Sequence, residues 1–373
     1  MSLAHELKRL NPEIKLVYIG LSGEKIEGLE DRLAIFDHRY SVVSGKFRRF
    51  HGDSLIKHIF DVKTLFNNLV DGAKVLYGMI QSRRLLKSIT PDLVFSKGGY
   101  VVVPVGLAAR SRRIPIMTHD SDAVPGLANR IVGRWAIINA TGMPAEYYDY
   151  PKDRIRYTGV PIDPRIEPIT PKLQAEYKAK LNLPADALVL LASGGGLGSA
   201  DVNHLIRQSA PTLFDKFPKL HIFQLTGQKH QSEVEDSYGD LPAEQQRRIH
   251  VEGFVNAFFL FSGAADLVVS RAGATSIPEF AAQSKACIII PADWIPGGQQ
   301  VKNAQVLKDR EAAVVVDNTI SPDDFTKLVI DLLEDDNWRQ KLSTNLGKLA
   351  KADAGVELAN LILETVQSHD QVS

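Results

Sequence analysis

The 373-residue chain has a single cysteine, no net charge and no long apolar run. One thiol excludes an intrachain disulfide framework, and Cys287 stands in the apolar run Ala286–Ile290, the setting of a core residue rather than a nucleophile. Lys and Arg number 44, and so do Asp and Glu, so no global field favours nucleic acid or an acidic partner. No run approaches the ~20 apolar residues of a membrane span. No signal-peptide pattern opens the chain either, and the expected location is the cytoplasm. His and Asp residues nowhere form paired clusters with metal-ligand spacing, so no metal site is expected.

What is present is alternation. Short apolar runs at Leu16–Ile19, Leu93–Ser96, Ile114–Thr118, Ala136–Ile138 and Ile155–Thr158 read as strands in the first half. In the second half they fall at Leu188–Ala192, His221–Leu225, Ile249–Val251, Leu267–Ser270, Ile288–Pro291 and Ala313–Val316. Amphipathic stretches separate them, including Ser54–Leu86, expected as two helices, and Val102–Arg110. This is the pattern of parallel α/β architecture: two doubly wound, Rossmann-like domains facing an interdomain cleft, the GT-B arrangement. Gly159-Val-Pro-Ile-Asp-Pro-Arg165 interrupts the pattern. Expected domains are therefore 1–163 and 164–350, with a closing helix over 351–373 that crosses back to the first. The chain opens directly on a helix, Met1–Leu10, with Leu3, Leu7 and Leu10 on one face, where such a domain normally opens on a strand and a glycine turn.

Four segments carry polar groups that a ligand would use. Asp266–Glu279 reads as a buried strand, a glycine turn and a helix start, a setting that turns backbone N–H groups toward an anion. Two readings of Ser276-x-x-Glu279 stand: a capping box, or a nucleotide site with diphosphate at the turn and ribose on Glu279. Ser193–Ser199 holds glycines that permit close approach of backbone or phosphate, without the Gly-Lys-Ser/Thr ending of a Walker loop. Ser96-Lys-Gly98-Gly99-Tyr100 is either a plain glycine turn or a second anion site. His119, beside Asp120 and Asp122, is either a general base with a pKa raised by negative charge or a structural histidine beside a capping Asp122. Gln299, Gln300 and Asn303 follow two glycines and suit the hydroxyls of a neutral sugar.

Taken in order, Gly98–Val101 with Pro104, His119 to Gly126 with Asn129 and Arg130, Gly194–Gly198, Arg271–Glu279 and Gln299–Ala304 resemble the MurG family of UDP-N-acetylglucosamine transferases along the whole chain. The resemblance implies inverting transfer of GlcNAc from UDP-GlcNAc to the lipid I acceptor, giving lipid II for peptidoglycan. Ala274, Thr275, Ser276, Ile277, Pro278 and Glu279 would hold diphosphate and ribose, with Val255 at the uracil and Gln299, Gln300 and Asn303 at the sugar. Gly98, Gly99 and Tyr100 would face the acceptor, and no cofactor or metal is implied. The segment from His58–Phe60 to Arg83–Lys87 would dock the first domain peripherally on the inner face of the cytoplasmic membrane, or else is an ordinary amphipathic helix pair packed on the sheet.

Departures accompany the likeness. The family's amino-terminal glycine loop and its histidine have no counterpart, which leaves His119 as the candidate catalytic base. Asp122 replaces a donor-contacting amide, Gly196 a donor-binding serine, and Val160–Asp163 a motif ending in arginine, for which Arg165 is the nearest substitute. Negative charge at Asp122 and Asp163 should weaken diphosphate binding unless a cation compensates. Another nucleotide sugar or glycolipid acceptor, or an inactive nucleotide-sugar-binding homologue, are the alternatives.

Overall fold

A computed structural model describes residues 2–24, 33–45, 62–295 and 297–370. The chain divides into two compact units: Met1–Pro161 with Asp353–Ser373, and Ile162–Ala352. Both are built on parallel sheets covered by helices, and together they are the two Rossmann-like domains of the GT-B fold.

In the first unit β1 (Val17–Leu21) pairs with β2 (His38–Val42), and β3 (Val94–Ser96), β4 (Ile116–Asp120), β5 (Ile138–Thr141) and β6 (Ile155–Tyr157) form a four-stranded sheet in sequential order. β2 was not expected, because its sequence HRYSV is exposed except at Val42 and shows no apolar run. The opening helix Ser2–Leu10 buries Leu7 against Met117 of β4, Ala140 of β5 and Leu358, Ala359 and Ile362 of the closing helix Ala354–Asp370. A 3.6-residue apolar stripe on each helix makes that contact, so the closing helix is part of the first unit's core. The described part of the expected Ser54–Leu86 pair is one helix, Val62–Ile89; Ser54 and His58–Phe60 lie outside the described residues.

The second unit holds one six-stranded parallel sheet. It winds outward twice from the centre. β7 (Leu188–Ser193), β8 (Leu220–Leu225) and β9 (Ile249–Glu252) run one way; β10 (Leu267–Ser270), β11 (Cys287–Ile289) and β12 (Val314–Val315) run the other. The central strands are buried on both faces, which is why Val189–Ala192 and Leu267–Val269 are uninterrupted apolar runs rather than alternating ones. Ile206, Leu213, Phe214, Phe325 and Leu332 fill the space between sheet and helices. Deleting any of these would cost about 2–5 kcal/mol. In such a sheet the strand order reverses between β7 and β10, and the loops leaving these two strands part to leave a crevice.

Candidate active site

The crevice is occupied by a cavity of about 890 Å³. Its walls are the loop after β7, Gly194 to Ser199, and the turn after β10, with Arg271, Gly273, Thr275 and Ser276; Ala292, Trp294, Ile295, Gln300 and Asn318 complete it. Glycine is required at Gly198, where φ is +78° and an added Cβ would stand 1.8 Å from the Thr226 carbonyl oxygen. At Gly196 a Cβ would meet nothing within 4 Å, so the absence of a side chain there enlarges the cavity rather than relieving a clash.

Arg271 is the hub of the wall. It is 4% exposed; its Nε donates to Ser199 Oγ at 2.9 Å, and Nη1 donates to the Ile290 carbonyl at 3.0 Å and Asn318 Oδ1 at 2.6 Å. Nη2 pairs with Asp201. Ser199 also caps the helix Ala200–Lys216, accepting from Val202 N. One guanidinium thus ties the ends of β7, β10, β11 and β12 together. Asn318 and Asp201 were not anticipated from the sequence, although both follow strands at the carboxyl end of the sheet, where such folds place their ligands.

Glu279 lies in the helix Ser276–Ala282. The capping-box reading is corrected here: Thr275 is the N-cap and makes no side-chain cap bond, and Ser276 is already the first helical residue. Among the described residues the Glu279 carboxyl has no protein hydrogen bond. Burial first, and then the charge of Asp163, push its pKa up to about 7. Ala274 and Pro278 are half-buried and Ile277 is buried in the core. The charge expected to oppose an anion at Asp163 is compensated: Arg165 binds it in a fork, Nη2 to Oδ2 at 2.6 Å and Nε to Oδ1 at 3.0 Å, which holds the carboxyl below its ordinary pKa.

Of the amides, Gln300 reaches the cavity, its Oε1 accepting from Ala292 N at 2.9 Å. Gln299 begins the helix Gln299–Asp309 and is half-buried. Asn303 is placed differently from expectation, fully buried, with Nδ2 donating to the Ala272 carbonyl at 3.0 Å; it braces the β10 turn from behind. Val255, half-buried in the turn after β9, is not part of the cavity lining.

In the first unit, Gly98 and Gly99 take φ of +91° and +94°, and they and the exposed Tyr100 lead into the helix Val102–Ser111. Ser96 Oγ accepts from Gly98 N at 3.1 Å and donates to Asn129 Oδ1 at 2.7 Å; Asn129 Nδ2 donates to Asp120 Oδ1 at 2.9 Å, and Tyr150 OH to Asp120 Oδ2 at 2.9 Å. Asp122 accepts from Tyr148 OH through its carbonyl at 2.7 Å.

The general-base reading of His119 is corrected. The ring is fully buried, with Nδ1 2.9 Å from Lys97 Nζ and Nε2 2.8 Å from the Gly159 carbonyl. An ammonium has no lone pair, so Nδ1 accepts and Nε2–H donates, and neither nitrogen is left for a substrate. Burial, reinforced by the Lys97 charge, takes its pKa down to about 3, opposite to the expected direction. Lys97 Nζ also donates to Ser121 Oγ at 3.0 Å, and the desolvation of its ammonium lowers its pKa to about 8 against the pull of Asp120 and Asp122. Among the described residues no three His, Cys, Asp or Glu side chains gather as a metal site, and no helix is long and apolar enough to cross a membrane.

The Glycosyltransferase family 28 N-terminal domain matches residues 1–138, and the family's C-terminal domain matches 189–358. The UDP-N-acetylglucosamine--N-acetylmuramyl-(pentapeptide) pyrophosphoryl-undecaprenol N-acetylglucosamine transferase of Lachnospira eligens is 33% identical over 328 residues, covering 87% of this chain and 84% of its own. The chain belongs to the MurG family. The enzyme of the same name from Geobacter sp. is 29% identical over 373 residues, 100% of this chain and 93% of its own. The crystal structure of Acinetobacter baumannii MurG superposes with a TM-score of 0.73 at 22% identity over 97% of this chain and 94% of its own. The calicheamicin glycosyltransferase CalG4 shares the fold more distantly, with a TM-score of 0.62 at 14% identity over 98% of this chain and 94% of its own. Membership of the MurG family makes the chain a glycosyltransferase.

Proposed function

We propose that this MurG-family chain transfers GlcNAc from UDP-GlcNAc to undecaprenyl-pyrophosphoryl-MurNAc-pentapeptide, with inversion, converting lipid I to lipid II in peptidoglycan synthesis. The observation that carries the reading is the cavity at the reversal of strand order in the second unit, lined by the Gly194–Ser199 loop, Thr275, Ser276 and the amide Gln300; Glu279, with its unpartnered carboxyl, is in the helix that Ser276 begins and outside the lining itself. Backbone N–H groups of Gly194–Gly198 and Ala274–Ser276 would take the diphosphate, Glu279 the ribose hydroxyls, the Val255 backbone the uracil, and Gln299 and Gln300 the sugar. The Asp163–Arg165 pair removes one electrostatic objection to an anion there. In the first unit, Gly98, Gly99 and Tyr100, with the Lys97 charge beside them, would receive the acceptor diphosphate.

Peripheral docking on the cytoplasmic face of the membrane belongs to the same proposal. The helix Val62–Ile89 buries Val75 and Leu86 but leaves Leu69, Leu76, Tyr77 and Ile80 exposed at 73%, 64%, 56% and 53%. Lys74, Arg83, Arg84 and Lys87 are exposed on the same helix, the pairing of apolar and basic residues that an anionic lipid surface attracts. The test is transfer of labelled GlcNAc from UDP-GlcNAc to a lipid I analogue by the full chain, with Glu279→Ala as control. Transfer by the wild type that is lost in the variant supports the reading; UDP-GlcNAc turnover unaffected by Glu279→Ala overturns the site. A second reading, another nucleotide sugar, is favoured by the bare Gly196 and by Asp122, and a donor panel separates the two.

A further inference from the structure

We propose that the indole of Trp294 is the platform on which the donor's hexose ring packs, and that it sets how much the sugar adds to nucleotide affinity. The inference rests on the donor-site reading above. Trp294 is 58% exposed and lines the cavity together with Gln300 and the bare backbone of Gly194 to Gly196. It is not a loose surface aromatic. The guanidinium of Arg271 lies 4.7 Å from its ring centroid, and that guanidinium is itself held by Ser199, Ile290, Asn318 and Asp201. A cation fixed by four partners lies over the indole, while more than half of the Trp294 surface stays exposed in the cavity wall.

The chemistry of the surroundings selects the occupant. A gluco-configured pyranose carries its ring hydroxyls around its rim and C–H hydrogens on its faces. It therefore matches a wall that pairs one flat apolar surface with a few amides. Gln300 commits its carbonyl oxygen to Ala292 N, so what it offers a ligand is a pair of N–H donors suited to a hydroxyl oxygen. Gly195 and Gly196 present no side chain, and a Cβ at either would meet only open space, which leaves room for a ring. Uracil is also flat, but the turn at Val255, where the nucleotide base is proposed to sit, is not among the cavity-lining residues, whereas Gln300 lines it beside Trp294.

The test uses calorimetry and tryptophan fluorescence on the full chain with UDP and UDP-GlcNAc as probes. Trp294→Ala should leave UDP affinity unchanged and lower UDP-GlcNAc affinity about five- to tenfold, while Trp294→Phe should stay within about twofold of wild type. UDP-GlcNAc, and not UDP, should change the indole emission, and the change should vanish in Trp294→Phe, which keeps Trp135 and Trp338. Equal effects of Trp294→Ala on both ligands, or none on either, would overturn the stacking role and leave the donor site standing. A wild-type chain that binds neither ligand would overturn the donor site and this inference with it.

Discussion

Glu279 gives the sharpest prediction. Its pKa of about 7 means that in the unliganded protein near neutral pH only about half the molecules carry the carboxylate that ribose hydroxyls would donate to. If the ionised form alone is competent, it makes up roughly nine-tenths of the population near pH 8 and roughly one-tenth near pH 6, so apparent affinity should fall about tenfold between them. UDP-GlcNAc is the ligand to use, because its diphosphate is a diester with no proton to gain in that window. Calorimetry in two buffers of different ionisation enthalpy should also detect release of about half a proton on binding near pH 7. Glu279→Gln keeps the shape and removes the titration. Binding should then be flat with pH, and weaker than wild type near pH 8 by about tenfold or more, the worth of a charge-assisted hydrogen bond. Stability runs the opposite way. A carboxyl whose folded pKa is raised contributes fully below its unfolded value and loses that contribution as pH rises through about 7, so unliganded Glu279→Gln should melt higher than wild type at neutral pH. A wild-type affinity that is constant from pH 6 to pH 8, or a Glu279→Gln chain with the wild-type slope, refutes the reasoning.

Three further outcomes are expected. His119 should stay neutral, as its Nε2–H tautomer, throughout the working range. An imidazole NMR signal for it that titrates near pH 6–7 would return it to candidacy as the base. His221 Nδ1 and His250 Nε2 are 3.2 Å apart, and burial, with His221 second, lowers the His250 pKa to about 4. A depressed histidine contributes stability above its unfolded pKa and loses it as pH falls, so the urea midpoint should drop between about pH 6.5 and pH 4, and His250→Gln should flatten that drop. Leu76→Glu with Ile80→Glu, at exposed positions, should leave the melting temperature within a degree or so yet abolish flotation with anionic vesicles; retained flotation would remove this helix from the docking surface.

All eleven runs named from the sequence correspond to β1 and β3–β12 within a few residues, and the central ones, β7 and β10, stood out most clearly because strands buried on both faces are apolar throughout. β2 escaped because HRYSV, exposed over its first four residues, has no such requirement. Gly194–Gly198, Arg271–Ser276 and Gln300 were singled out because glycine turns and helix starts at the carboxyl ends of parallel strands are where this architecture opens its crevice, and the structure brings residues of all three segments to one cavity. Asn303 and His119 were misplaced for one shared reason. A polar side chain looks the same in sequence whether it faces a ligand or satisfies a buried carbonyl, and in the structure both satisfy carbonyls, of Ala272 and Gly159.

The sequence by itself determined the fold class, the family and the segments that line the crevice between β7 and β10, since these follow from periodicity and from residue types at local spacing. Only the tertiary structure decided the electrostatics. Arg271 could be seen to bind Asp201 and Asn318, and Glu279 to be pushed toward neutral pH, only once residues distant in the chain were packed together. Burial and charge proximity are properties of three-dimensional distance, and a desolvated group takes its pKa from what surrounds it rather than from its neighbours in sequence.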